Sequence, residues 1–216
     1  MTPSSTEPAS RSFVSPAIRL RFIATNVLLG VLFTIFAYAA FMNWLRTGHF
    51  QMLLLAFQEL LIVGLAITRH RSVEESRSRW DWAVALLGTG APLLQRPGLT
   101  LPVLEPIGIG LQLIGTVLAT AAVISLGRSF GIVAANRGVR TTGFYRFVRH
   151  PLYGSYMVGY LGFLLSNLSV LNVLLIFLTV LCQYARAVAE ERILLRDPVY
   201  QAYAKQVRYR FIPYVF

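Results

Sequence analysis

Charge is scarce in this sequence. Asp, Glu, Lys and Arg make up 13% of its 216 residues, about half the usual share of a soluble domain. A soluble chain of this length could build a core, but too few polar residues remain here to coat one. Cysteine is reduced to Cys182, which sits inside an apolar run. That excludes an intramolecular disulfide and a cysteine-based metal site. No His/Asp/Glu cluster has ligand spacing, so no metal is expected. No short apolar region with a small-residue cleavage site precedes the first long span, so no cleaved signal peptide is expected.

What fills the sequence is apolar: 56% hydrophobic residues and a mean hydropathy of +0.60. The net charge of +11 is unevenly placed. Residues 1–127 hold nine Arg against six acidic residues, and residues 128–216 hold ten Arg and one Lys against three. In a soluble protein such a bias points to nucleic acid. Here the basic residues lie between apolar runs, so the positive-inside rule and attraction to anionic lipid explain them, and no nucleic-acid partner is expected.

The first sixteen residues are rich in Ser, Thr and Pro and read as a disordered tail. Phe22 to Leu45 follows with no charge over 24 residues, enough to cross a hydrocarbon core of roughly 30 Å. Phe50 to Thr68 is a second span, broken only by Glu59, which the sequence leaves without an assigned partner. Trp80 to Leu94 is short, and Pro102 to Leu126 carries Gly108, Gly110, Gly115 and Ala119, which let helices approach closely. Pro151 to Ala185 is too long for one span, and Ser166-Asn167-Leu168-Ser169 with Asn172 divides it into a helical hairpin. Its second leg continues toward Leu195, Asp197-Pro198 ends it, and an amphipathic piece follows. Arginines gather in the N-terminal flank, at 69–79 and at 128–150, while the alternate loops hold Arg46, Arg96 and nothing. That alternation fits six crossings with both termini cytoplasmic.

Three polar clusters stand out. They are Thr142 to Gly154 around Arg149-His150-Pro151-Leu152-Tyr153, then Arg186 with Glu190-Glu191, then Tyr200 to Pro213. Pro151 suits the first turn of a helix with His150 at its cap, and a helix start offers N–H groups to a carboxylate. Tyr145 and Tyr153 offer aromatic faces to a cation. The plainer alternative for this cluster is a basic juxtamembrane loop with interfacial aromatics. Arg186 and Glu190 share a helix face and could form an ordinary ion pair. One helical hairpin separates the first two clusters, so both return to one membrane face.

Arg149-His150-Pro151-Leu152-Tyr153, Glu190-Glu191-x-x-Leu194, and Tyr200-x-x-Tyr203-x-x-x-Val207 followed by Pro213 together resemble the isoprenylcysteine carboxyl methyltransferase family. That family is related to the membrane phospholipid N-methyltransferases. The resemblance covers about residues 125–216. It implies S-adenosyl-L-methionine as methyl donor, in a cytosol-facing pocket closed by the C-terminal segment. By position, His150, Pro151, Leu152 and Tyr153 would contact this cofactor, with Tyr145 and the stretch Arg137, Gly138, Val139 and Arg140 beside it. Glu190 would bind it too, and Arg186 would face the methyl acceptor, a lipophilic molecule or lipid-modified group. The residues fit that ligand independently, since a carboxylate can hold an ammonium and aromatic faces suit a sulfonium. The sequence departs from the family at Gly154-Ser155, where glycine usually stands in the second place. It also lacks the family's His and Thr pattern at 137–140.

These readings give an all-α polytopic membrane bundle of about five to six transmembrane helices, with a C-terminal hairpin. Residues 1–16 are the tail, 17–127 the N-terminal transmembrane helices, and 128–216 the methyltransferase-like catalytic region. Two alternatives stand beside it. The ending Val207 to Tyr214 also looks like that of membrane sterol reductases, which would use NADPH. A non-catalytic scaffold or permease is the other, although polar chemistry gathers at one end rather than at the midplane.

Overall fold

The computed structural model describes residues 16–48 and 50–215. The tail read over residues 1–16 lies outside them, save Pro16, with which the first helix begins. Seven α-helices follow in order: α1 Pro16–Thr47, α2 Phe50–Thr68, α3 Arg79–Gly90, α4 Glu105–Leu126, α5 Pro151–Ser166, α6 Val170–Leu194 and α7 Pro198–Gln206. Three stretches are long and apolar enough to cross a bilayer: Phe22–Thr47, Glu105–Ser129 and Val170–Leu194. Met52–Thr68 is a shorter apolar stretch. The protein is an all-α integral membrane bundle.

Local chemistry sets the boundaries. Gly48, at φ 70°, turns the chain between α1 and α2, a conformation that favours glycine. Ser78 caps α3 by accepting from the Asp81 N–H. The third expected span ends early as a regular helix. Pro92 has no N–H to donate back to Gly88, and Ala91–Leu94 tightens into a 3-10 turn. Ser169 caps α6 through the Asn172 N–H at 3.1 Å, and Asp197 caps α7 through the Val199 N–H at 2.9 Å. The one strand pairing among the described residues is short: β1 Glu74–Glu75 lies antiparallel to β2 Ala135–Asn136.

The helices pack chiefly as α1 with α2, α4 with α5, and α3 with α6, while α2 leans on α4. The α4–α5 seam depends on small residues. A Cβ at Gly115 would meet the backbone N of Gly159 at 2.6 Å, and one at Gly162 would meet the Gly108 carbonyl oxygen at 2.6 Å. Gly110, grouped with them in the sequence, has nothing within 4 Å and plays no part in the seam.

Polar links fix which helix ends lie together. At one end Arg69 donates to Asn26 at 2.7 Å, joining α2 to α1. Arg128 donates to the Thr68 carbonyl at 2.6 Å, joining α4 to α2. His150 meets Glu191 at 3.2 Å, joining α5 to α6. At the other end the Asn172 side chain bridges the Arg96 backbone, accepting at 3.1 Å and donating at 2.8 Å. Leu99 pairs with Leu168 across the hairpin turn. The arginine-rich loops therefore all sit at the His150 end.

Candidate active site

The hairpin α5–α6 returns His150 and the twin glutamates to one place. Glu191 is buried, yet it accepts from Arg149 Nε at 2.8 Å and from Arg210 Nη2 at 2.9 Å, and lies 3.2 Å from His150 Nε2. The tail then clips onto the start of α5: Arg149 N–H donates to the Tyr209 carbonyl at 2.9 Å and His150 N–H to the Arg210 carbonyl at 2.7 Å. Glu191 is thus the tie between α5, α6 and the C-terminal segment. Its hydrogen bonds hold the Arg210 guanidinium above its ordinary pKa.

Glu190 goes elsewhere. It accepts a short hydrogen bond from the Tyr153 hydroxyl and lies 3.7 Å from His150 Nδ1. One turn back, Arg186 is 9% exposed. The i,i+4 ion pair open to Arg186 and Glu190 does not form. Tyr153 takes the carboxylate, and Arg186 donates to Gln183 at 3.1 Å and to the Ile132 carbonyl at 2.9 Å. Its guanidinium lies over the Tyr153 ring, 5.2 Å from the centroid, within cation–π range.

These side chains border a cavity of about 560 Å³. Arg137, Gly138, Val139, Arg140, Tyr145, His150, Leu152, Tyr153, Arg186 and Glu190 all line it. Pro151 does not. It is buried in the first turn of α5, where its ring sets the helix start and leaves no polar group for a ligand. The stretch at 137–140 reaches the cavity because β2 pairs with β1 and Glu75 lies 3.9 Å from the Arg137 guanidinium. A side chain at Gly131 would occupy the space of that guanidinium. Burial lowers the Arg137 pKa to about 10, so it stays cationic at neutral pH.

The C-terminal cluster completes the wall with Tyr200 and Tyr203. The Tyr203 hydroxyl donates to the Tyr145 carbonyl at 2.6 Å. Burial pushes the Tyr145, Tyr200 and Tyr203 phenols above their ordinary pKa. Phe211 packs over His150 with ring centroids 5.9 Å apart, and Gly154 makes room for it, since a Cβ there would stand 2.5 Å from the Phe211 carbonyl oxygen. The displaced glycine of the motif therefore serves the tail. Ser155, in the usual glycine place, donates to the Pro151 carbonyl at 2.8 Å.

Some lining residues escape a motif-based reading. Tyr156, Tyr160 and Gln183 lie in apolar runs. Their signal is spacing: Tyr156 and Tyr160 follow Tyr153 at helical intervals, and Gln183 stands one turn before Arg186, each repeating a polar face. The cavity extends into the bundle, bordered by Phe33 and Phe36 of α1, Met52, Leu55 and Glu59 of α2, and Thr89 of α3. α2 and α3 face each other across it rather than packing together.

Buried polar atoms without partners are costly and uncommon in native folds. Five such side-chain atoms occur among the described residues, and four belong to cavity-lining residues: Glu59 Oε2, Arg137 Nε, Arg186 Nε and Tyr200 hydroxyl. Their donors and acceptors suit a ligand with an anionic group at one end and donor groups elsewhere. S-adenosyl-L-methionine, which the resemblance implies, carries both kinds of group, a carboxylate and an ammonium.

A membrane-embedded bundle with a tyrosine-rich cavity at the end of a helical hairpin defines the class: an integral membrane protein whose cavity is polar at one end and apolar where it extends into the bundle. Residues 104–202 match the family described as phospholipid methyltransferase. The match agrees with the resemblance in the motifs and supports a membrane methyltransferase with a lipid-related substrate. The match begins at α4, earlier than the motifs do, and ends before Tyr203 and the tail. No curated protein matches the chain.

Proposed function

We propose that the protein is an S-adenosyl-L-methionine-dependent methyltransferase of the isoprenylcysteine carboxyl methyltransferase kind, acting on a lipophilic acceptor. The observation that carries this reading is the gathering of partnerless buried polar atoms around one cavity at the end of a membrane bundle. When bound, the cofactor supplies an electrophilic methyl group on a sulfonium. The chain's own residues bind and align. Glu190, fixed by Tyr153, accepts from the cofactor's ammonium. The start of α5, beside His150, offers backbone N–H groups to its carboxylate. Tyr145 and Tyr153 present rings to the sulfonium, and Arg137 to Arg140 flank the nucleoside.

Arg186 and Glu190 are the catalytic pair of this reading. Arg186, held by Gln183 and the Ile132 carbonyl, faces the acceptor and suits an anionic group such as a carboxylate or a lipid phosphate. A carboxylate or thiolate acceptor needs no base, and holding it in line supplies several kcal/mol. The arginine-rich loops share the cavity's polar end, which supports a cytoplasmic face for that end and for both termini. The cofactor then enters from the cytosol, and the acceptor enters from the bilayer between α2 and α3.

Calorimetry with S-adenosylhomocysteine on protein in neutral-lipid nanodiscs tests this. Glu190→Ala is expected to weaken binding about tenfold to a hundredfold, the usual weight of a charged hydrogen bond. Arg186→Ala is expected to keep that binding and to lower labelled methyl transfer into membrane extracts. If neither substitution changes binding or transfer, the site assignment fails. Binding of NADPH in place of S-adenosylhomocysteine would move the protein to the reductase class.

A further inference from the structure

Glu59 has no role in the proposed binding of methyl donor or acceptor, yet it borders the same cavity. It is the tenth of nineteen residues in α2, roughly 14 Å along the helix from its Thr68 end. Its neighbour Gln58 is almost wholly buried and accepts from Thr120 at 3.1 Å, which locks α2 to α4. Both residues border the cavity, with Glu59 about 100° further around the helix. Its Oε2 has no hydrogen-bond partner. Arg186, on the same cavity wall, is committed to Gln183 and the Ile132 carbonyl and makes no ion pair with Glu59. The cavity wall includes Phe33, Phe36, Leu55 and Met52. Tyr156 interacts electrostatically with both charged residues.

A carboxyl group at this depth is expensive in a span and is kept where it faces a polar partner or cavity. A chamber made only to hold a hydrocarbon tail would be apolar throughout, as tail pockets are. This one carries a carboxyl group part-way along it, on a wall that also holds Phe33, Phe36, Asn43, Gln58 and Thr89. Such a group rewards a ligand that brings an N–H or O–H donor to that depth and penalises one that leaves the carboxyl buried and unpaired.

We infer that Glu59 is a specificity-determining residue that binds a hydrogen-bond donor, an amine or a hydroxyl, carried by the lipophilic ligand at a point remote from the Tyr153–Glu190 contact. The inference rests on the methyltransferase reading only in calling that ligand the methyl acceptor. The ligand is then not a plain hydrocarbon chain with one polar end. It has a donor in its apolar portion or at a second end.

The test uses dodecylamine, 1-dodecanol, methyl laurate and dodecane as probes, with thermal stability of the full chain in neutral-lipid nanodiscs as readout. Dodecylamine and dodecanol carry donors, and the other two do not. The donors are expected to raise the melting temperature of the parent protein and the controls to leave it unchanged. Glu59→Leu is expected to abolish the difference. Glu59→Gln, which retains a carbonyl acceptor, is expected to keep the response to dodecanol and lose the larger part of that to dodecylamine. A stronger response of the parent to the amine identifies an amine-bearing ligand, and a stronger response to the alcohol a hydroxyl-bearing one. Equal responses to all four probes, or unchanged selectivity in Glu59→Leu, overturn the proposal. S-adenosylhomocysteine titrated into the same samples separates the two readings. Donor selectivity without nucleoside binding keeps the Glu59 site and sinks the methyltransferase. Nucleoside binding retained in Glu59→Leu shows that the variant folds and that any lost selectivity is local.

Discussion

Glu190 and Glu191 are adjacent in sequence, but their carboxylates serve different structures. Glu190 faces the cavity and accepts from Tyr153. Glu191 turns about 100° around the helix and gathers Arg149, His150 and Arg210. One residue of helix separates the cavity-facing carboxylate from the tie that holds the wall in place.

Glu191→Gln is therefore expected to act on stability first. It leaves the partly buried Arg149 guanidinium short of its counter-charge, and breaking a buried pair from one side costs about 3–5 kcal/mol. The lower end applies here because Arg210 is partly exposed and can turn to water. Unfolding midpoints of Glu191→Gln and Glu190→Gln measured side by side check this. Only the former should fall steeply, and equal midpoints would show that Glu191 is no tie.

Tyr203 gives the alkaline behaviour a sign. Its phenol is buried, and burial lifts its pKa above the ordinary 10. The unfolded chain then sheds this proton first as pH rises, so the stability it confers is complete below about pH 10 and shrinks above it. Tyr203→Phe loses the hydrogen bond to the Tyr145 carbonyl, a cost of about 1 kcal/mol at pH 7. By about pH 11 the parent has lost roughly 1.4 kcal/mol from this group, and the two proteins should converge. Arg137, lowered by burial to about 10, works in the opposite direction but equally in both. Parallel stability curves from pH 8 to 11 would contradict the argument.

Much of this arrangement is legible in the sequence because it is written in short-range chemistry. Pro151 and Ser166 to Ser169 mark the hairpin, Asp197-Pro198 marks the next helix, and the expected second span matches α2. What escapes is set by pairings far apart in the chain. Nothing local shows that Glu74 and Glu75 will pair with Ala135 and Asn136. Nor does spacing show that Arg186 will leave Glu190 to Tyr153, because that choice depends on α5 lying against α6. The division of Gln58 from Glu59 likewise follows from where Thr120 of α4 stands.

The glycines of α4 separate a composition-based reading from a geometric one. Gly110 and Gly115 are equivalent by residue type, but only Gly115 meets α5. Gly115→Ala forces a methyl against the Gly159 backbone, which has no side-chain freedom with which to yield, and overpacking of this kind costs about 1–3 kcal/mol. Gly110→Ala meets open space and adds helix propensity, so it should be neutral or slightly stabilising. Melting temperatures in a single detergent decide the matter. A loss from Gly110→Ala as large as that from Gly115→Ala would refute the seam.

Gly154→Ala tests whether the tail is part of the cavity wall. The added methyl would stand 2.5 Å from the Phe211 carbonyl oxygen. The tail must then move, which draws Arg210 away from Glu191 and breaks the pairing of 209–210 with 149–150. Helix content should hold, because α5 accepts alanine readily. Trypsin should cleave at Lys205, Arg208 and Arg210 several-fold faster, and S-adenosylhomocysteine should bind more weakly. Ser155→Ala, one residue on, removes only a local hydrogen bond to Pro151 and should leave both readouts near the parent values. If Gly154→Ala resists trypsin as the parent does, the C-terminal segment is not held by α5, and closure of the cavity must be sought in other elements.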